Sequence, residues 1–462
     1  MRASDFSSTD PEYEPDETGS YNPSLSRASL IKMTGITALA ATPLVGARVA
    51  RGGALGDSLE SAGGLGPRLN KLVMAGGAKA GKGQTFKYGG SLPLSGPGAF
   101  FGKQMLDGIH LAVEHIRLAG GATFDFIPKD HKTGDPTAAV QLVRELGNSG
   151  VGALINSYLA AFGAQIPSLA TYKILSIDPG GGTGQAFIRK PYFWGTRASW
   201  PDSTFPGVYK YVSTVMPKAK RVSLLIWANG AGFVDPARAS LVAALKAHGM
   251  QLVSTEQSPA GNTDFSQQVA RLKAARPDVI SVAMSGSDVG YFLKAKAAAG
   301  LNAQAIGMDW NADTAKLAGK DGNDYWFAFD YFDPKHPVNP WSKLYASEFK
   351  KRFKRDTSWL EANYYEGTWV YAQLIARVLA AGGNINSGSD LQNAMQKNPT
   401  FKSIYGGDAK TVGKLTLNPT THTIASRSLS LLQHVGSTGG ADKVLATFDI
   451  GGRSYRKVAN PT

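Results

Sequence analysis

Cysteine is absent from the 462 residues. Its absence removes disulfides, thiolate metal sites, a cysteine nucleophile and a lipid-modified N-terminal cysteine from consideration. Long hydrophobic runs are also missing. The best candidate, residues 36–47, is too short and too alanine-rich to span a bilayer. Catalytic signatures are lacking as well: there is no HExxH and no G-x-S-x-G elbow. The seven histidines are dispersed, and His110 and His115, five apart on one helical stretch, point to different faces. Gly96-Pro97-Gly98 with Gly102 misses the dinucleotide spacing by one residue. No catalytic group, metal site or cofactor is expected.

What is present suits a folded chain. Hydrophobic residues make up 43% and charged ones 18%, against the composition of disorder. The length allows two or three domains. The net charge is +14. A basic balance of this size raises nucleic acid or a membrane surface as partners. Yet the only dense run is Lys350-Lys351-Arg352-Phe353-Lys354-Arg355, in a stretch of helical character, which reads as a solvated face. No nucleic-acid partner is expected.

Residues 1–25 carry six acidic residues against one basic and read as a disordered leader. Residues 26–50 read as an export signal: Arg27 and Lys32 precede the apolar core, and Val45-Gly46-Ala47 offers a cleavage site. The approach from Ser26 to Lys32 resembles a twin-arginine signal with Ala28 in place of the second arginine. Residues 51–85 read as a Gly/Ala-rich linker. Within it, Gly76 to Gly83 approaches a phosphate-binding loop but lacks the Ser or Thr after Lys82.

From Phe86 short apolar runs alternate with amphipathic stretches, as in βα units around parallel sheets. Strands are expected at 86–92, 124–128, 151–155 and 174–177, with helices at 102–118 and 136–148, the latter opened by Pro136. After Pro217 the cycle restarts: strand 221–227, helix 236–248, strand 252–256, a helix capped by Asp264, strand 279–284, helix 289–299 and strand 303–308. A long apolar helix covers 362–381. Strands return at 414–417, 422–425, 428–433 and 443–450. Two similar βα sets predict two lobes, and the returning strands predict a chain that crosses between them more than once.

The run Tyr88-Gly89-Gly90-Ser91-Leu92-Pro93-Leu94-Ser95-Gly96-Pro97-Gly98-Ala99-Phe100-Phe101-Gly102 resembles the branched-chain amino-acid-binding family of periplasmic proteins. The likeness continues through Gly108 to Ile116, Ala119-Gly120-Gly121 and Asp135-Pro136, and in the second half through Asn262 to Ser266, Arg276 to Val279 and Ala299-Gly300-Leu301. This resemblance implies an α/β chain of two Rossmann-like lobes with parallel sheets joined by three crossovers, the type I periplasmic-binding or Venus-flytrap fold. Residues 86–203 with 327–405 would form the N-terminal lobe, and 204–326 with 406–458 the C-terminal one. It further implies a monomer outside the cytoplasm that captures an amino acid or related small carboxylate for the membrane permease of an ABC transporter, without catalysis. A ligand sensor on the same fold is the rival reading.

Ligands of such sheets bind beyond the carboxyl ends of the strands. Three first-lobe loops qualify: 95–102, 156–158 and 178–183. By resemblance, Ser157 and Thr183 hold the ligand carboxylate, with Gly182 the alternative for the second position. Ser157 could instead cap a helix, and the stretch from Gly180 to Gly182 could be a tight turn. In the second lobe, Asp309 matches an acid that binds the ligand ammonium, or else caps the next helix. Phe233, after Gly232, stands near the family's tyrosine position. Tyr158, Trp200 and Phe100 are candidate aromatic walls, and Trp310 either walls the pocket or packs.

Overall fold

The computed structural model describes residues 64–74, 81–96, 98–157, 162–180, 189–197, 203–228, 231–308, 310–436, 442–452 and 454–458; for 162–163, 231–233 and 312 only the backbone is described. The expected leader and export signal lie outside these residues.

Two sheets organise the chain. The first holds β1 (Thr85–Leu92), β2 (Thr123–Asp130), β3 (Ala153–Ile155), β4 (Leu175–Asp178) and β5 (Phe193–Gly195) in the order β2-β1-β3-β4-β5. All of its pairings are parallel. Parallel strands covered on both faces read as continuous apolar runs, and β3 and β4 are buried throughout. Alternation along β3 sends Ala153 and Ile155 to the main core and Leu154 to a satellite core with Leu142, Val143, Leu169 and Phe193.

The second sheet is larger. Its parallel part is β6 (Arg221–Trp227), β7 (Gln251–Ser258), β8 (Val279–Ala283), β9 (Gln304–Gly307) and β10 (Trp326–Phe329). Antiparallel β14 (Ser428–Gln433), β15 (Lys443–Asp449) and β16 (Arg456–Lys457) extend it beyond β10. Between them β11 (Thr400–Ser403), β12 (Gly413–Leu417) and β13 (Ile424–Ser426) form a separate antiparallel sheet. The chain passes from the first sheet to the second after β5, leaves it after β10 and returns before β14, which makes three crossings.

Twelve α-helices lie among the described residues: α1 (Leu65–Leu69), α2 (Ala99–Leu118), α3 (Pro136–Asn148), α4 (Phe162–Tyr172), α5 (Phe205–Val215), α6 (Ala231–Lys246), α7 (Ser266–Ala275), α8 (Ser287–Ala298), α9 (Ala312–Ala318), α10 (Pro340–Phe353), α11 (Trp359–Ala380) and α12 (Gly388–Lys397). Helix α3 begins as its sequence says: Pro136 sits in the first turn and Asp135 accepts from the N–H groups of Thr137 and Ala138. Helix α11 lies in the core, with Trp369, Tyr364, Tyr365 and Tyr371 fully enclosed. It meets α2 at Gly108, where a Cβ would come within 2.3 Å of the Glu361 carbonyl oxygen.

Several expectations shift. Strand β2 continues through Pro128 to Asp130, because β2 is an edge strand whose proline needs no outward N–H. Helix α6 starts at Ala231, with Pro236 inside its second turn instead of opening it. The residue before α7 is Phe265. Asp264 serves it one step back, accepting from the Ser266 N–H. Within the expected linker, Leu65 to Met74 is helical and buries Leu65, Leu69, Val73 and Met74. β10 pairs within the second sheet although the sequence places residues from 327 in the other lobe. Conversely, β12 and β13 pair with β11 and stay out of the second sheet, although the sequence places residues from 406 in its lobe. Backbone pairing with neighbours, which composition does not reveal, decides these boundaries.

The basic run around Lys350 is ion-paired: Lys350 with Asp356 at 3.0 Å, Arg352 with Glu114 at 2.6 Å, Arg355 with Asp107 at 2.9 Å and with Glu361 at 2.6 Å. Among the described residues no helix is long and apolar enough to cross a membrane.

Candidate functional site

The carboxyl ends of β1 to β4 gather four loops, and polar side chains lace them together. Asp130, closing β2, accepts from the N–H groups of Leu94, Ser95 and Lys132 at 2.9, 3.2 and 2.8 Å and from the Ser95 hydroxyl at 2.5 Å. Burial pulls its carboxyl pKa up, but these hydrogen bonds outweigh burial and hold it below the usual carboxylate value. Thr133 donates to the Ser95 carbonyl at 2.5 Å and accepts from the Gly98 N–H at 2.9 Å. The loop after β2 is sharply folded, with Lys132, Thr133 and Gly134 at φ 51°, 57° and 100°. It thereby clamps the start of α2.

Beneath these loops lies a buried polar chain. The Gln165 amide donates to the Ser91 hydroxyl at 2.7 Å, and the Asn156 amide donates to Gln165 Oε1 at 2.5 Å. Asn156 Oδ1 takes the Ser157 N–H at 3.0 Å, and the Tyr364 hydroxyl donates to the Asn156 carbonyl at 2.8 Å. Ser157, only 1% exposed, has its Oγ 2.5 Å from Nε2 of His131, which is equally buried. Burial lowers the His131 pKa and favours the neutral ring. Strands β3 and β4 are held in place from α11, where the Tyr371 hydroxyl shares its one hydrogen between the carbonyls of Leu154 and Leu175 at 2.7 and 2.8 Å.

Next to this edge the two sheets meet. After β4, Asp178 Oδ1 takes the Gly180 N–H at 2.8 Å, closing a small turn. Arg197, just past β5, donates to the Gly180 carbonyl at 2.8 Å and to Asp330 at 2.8 Å. Asp330 follows β10 of the other sheet. Its second oxygen accepts from Arg427 at 2.9 Å and from the Asn363 amide at 3.0 Å. Arg427 also reaches Glu366. Arg197, Asp330 and Arg427 each belong to a different crossing, and Asn363 and Glu366 come from α11. All five are buried. Trp359 and Tyr405 cover the two guanidinium groups, at 4.0 and 4.3 Å. Two positive and two negative groups balance, as buried charges require.

On the second sheet Asp288 ties the loop ends together, accepting from the Trp227 indole N–H at 2.8 Å and the Gly261 N–H at 2.9 Å. Among the described residues no group of three or more acidic or histidine side chains is arranged for a metal ion.

The candidate residues fall unevenly across this geometry. Ser157 and Gly180 sit at the edge just described. Helix α4 begins at Phe162, five residues after Ser157. Gly180 is in a turn, held by Asp178 and Arg197. Phe100 lies in the first turn of α2, half exposed, its ring edge-on to Phe101 at 5.7 Å. Phe233 falls in the first turn of α6, not in a loop, and only its backbone is described. Tyr158, Gly182, Thr183, Trp200 and Asp309 lie outside the described residues. The cap of α9 is nonetheless settled: Asn311 accepts from the Thr314 N–H at 2.9 Å. Trp310 packs in the interior against Tyr325 and His434, with ring centroids at 5.0 and 4.8 Å. His131 was missed, although the loop after β2 meets the same strand-end rule as the three considered. Arg197, Asp330 and Arg427 carried no local sequence signal.

The sequence pattern of the family described as periplasmic binding protein matches residues 85–439. The chain belongs to this family. The Leu/Ile/Val-binding protein homolog 1 of Brucella suis is 25% identical over 328 residues, covering 68% of this chain and 83% of that protein. In fold, this periplasmic binding protein resembles a leucine-binding protein from Thermotoga maritima, with a TM-score of 0.66 and 16% identity over 78% of this chain and 98% of the other. A solute-binding protein from Rhodopseudomonas palustris, solved with 3,4-dihydroxybenzoic acid, gives a TM-score of 0.65 at 23% identity over 79% and 98%. The α/β fold, with one parallel sheet and one largely parallel sheet, is therefore the type I periplasmic-binding fold.

Proposed function

We propose that this periplasmic binding protein is the extracytoplasmic solute-binding component of an ABC importer and takes a small carboxylate, an amino acid or an aromatic acid, between its two sheets. The observation that carries the reading is the strand-end cluster at Ser157, set directly beside the three crossings. Main-chain and hydroxyl donors at the carboxyl end of a parallel sheet suit an anion. The crossings beside it give a pivot. A ligand that touches both sides favours the closed form through its differential affinity. Of the relatives named above, one is a leucine-binding protein and another was solved with 3,4-dihydroxybenzoic acid, and both ligands carry a carboxylate. The handing-on partner would be a membrane permease, and residues 26–50 would direct export. In this reading Ser157, Thr183 or Gly182, and Gly180 contact the carboxylate. Asp309 meets an ammonium, while Phe100, Tyr158 and Phe233 shape the wall.

The test is a thermal-shift screen of the full chain against amino acids and aromatic acids, followed by calorimetry of the hits. A ligand that binds the native state raises the melting temperature. At least one carboxylate should bind in the micromolar range or tighter, with its carboxamide much weaker. Equal binding of acid and amide, or no hit at all, overturns the reading.

A further inference from the structure

We infer that His131 is a positioning residue which turns the Ser157 hydroxyl into a committed hydrogen-bond donor toward the binding site, and so selects ligands that present an anionic oxygen there. The inference rests on the proposed solute-binding reading and deepens it.

The argument starts at the other ring nitrogen. The Gly134 N–H points at His131 Nδ1 at 2.9 Å and is shared with the His131 carbonyl at 3.1 Å. A backbone N–H only donates, so Nδ1 must present its lone pair. A hydrogen on Nδ1 would face the amide hydrogen directly. The neutral ring therefore carries its proton on Nε2. Burial, which disfavours the charged ring, keeps it in this neutral form. Nε2–H then donates to Ser157 Oγ across 2.5 Å.

This settles what Ser157 can do. One lone pair of Oγ is occupied by the imidazole. Its hydrogen cannot turn back to His131, which has no acceptor on that side. Among the described residues Ser157 Oγ has no other hydrogen-bonding neighbour, since Asn156 Oδ1 is engaged by the Ser157 N–H. Among the described residues nothing takes the hydroxyl hydrogen, which leaves it for a ligand acceptor. Accepting a strong hydrogen bond also polarises the hydroxyl and makes it a better donor. The tight β2 loop, with Lys132, Thr133 and Gly134 in left-handed conformations, brings the Gly134 N–H back to its own histidine.

Two measurements test this on the full chain. Two-bond ¹⁵N–¹H spectra of histidine-labelled protein report the tautomer without any ligand. Proton on Nε2 is expected, and proton on Nδ1 overturns the inference. Calorimetry with L-isoleucine, benzoate and 4-hydroxybenzoate, each against its carboxamide, reads the second part. His131→Leu should weaken the bound acid by about tenfold and leave the amide nearly unchanged. His131→Gln, whose amide N–H falls near the Nε2 position, should restore most of the loss. In the Ser157→Ala background His131→Leu should cost nothing further. Additive losses, or full acid binding by His131→Leu, overturn the inference. If none of the probes binds the unmodified chain, the solute-binding reading falls, and the tautomer spectrum still decides the role of His131. Should His131→Leu not fold, the Gln and Ala variants carry the comparison.

Discussion

Arg197 and Asp330 meet at 2.8 Å in the interior, 133 residues apart in sequence, and join the first crossing between the sheets to the second. Arg427 adds the third crossing through the other oxygen of the same carboxylate. One acidic side chain thus gathers every strand of the pivot. Removing its charge leaves two buried guanidinium groups short of a counter-charge. Asp330→Asn should destabilise the chain by about 3–5 kcal/mol. Urea unfolding followed by circular dichroism measures it. A loss below about 1 kcal/mol would show that the carboxylate is not what holds the crossings.

Asp309 separates the two ligand classes. If the bound solute is an α-amino acid whose ammonium meets this carboxylate, Asp309→Ala should weaken it by more than about tenfold, the worth of one charged hydrogen bond. A benzoate has no ammonium and should bind the variant as well as the parent. Calorimetry with both ligand types distinguishes the cases. An unchanged dissociation constant for an amino-acid ligand removes Asp309 from the site.

The contact of α2 with α11 depends on Gly108. A methyl group there would lie 2.3 Å from the carbonyl oxygen of Glu361, a backbone atom that cannot swing aside. Gly108→Ala should cost about 1–3 kcal/mol, overpacking outweighing the gain in helix propensity. The melting temperature reads it, and a stabilised variant would contradict the packing described.

Stability should fall on acidification. His115 is fully enclosed, its Nδ1 2.8 Å from the Tyr365 hydroxyl. Burial, with a smaller contribution from Arg352, lowers its pKa from 6.5 to about 3. The unfolded chain therefore binds a proton that the folded chain refuses. The stabilisation is complete above the unfolded pKa and drains away as pH falls from 6.5 toward 3. The slope is up to about 1.4 kcal/mol per pH unit. Burial lowers His110, His131, His248 and His422 as well, which act in the same direction. His115→Gln should flatten the dependence of unfolding free energy on pH between about 7 and 5. An identical slope in the variant would assign the effect elsewhere.

The periodic parts of the chain were readable because burial imposes the pattern. Strand β14 occupies residues 428–433 as expected, and α3 opens at its proline. Pro128 and Pro236 misled because proline tolerance depends on the neighbours: an edge position excuses the first, and α6 carries the second inside its second turn. The lobe boundaries near 327 and 406 depend on which strand pairs with which, and that is a long-range fact. At the site, Ser157 and Gly180 were found from loop position and resemblance. His131 needed only the same rule applied to β2. The pivot was invisible, since Arg427 and Asp330 lie 97 residues apart and neither belongs to a local motif.

Helix α11 serves two masters. Its Tyr364 and Tyr371 hydroxyls grip the main chain that presents Ser157, while Asn363 and Glu366, on the same few turns, grip the charges of the pivot. The gripping surface and the axle are therefore mounted on one rod. On the proposed reading, a mutation that loosens the rod will blur solute selection and lobe motion together, and efforts to retune one without disturbing the other must begin outside this helix.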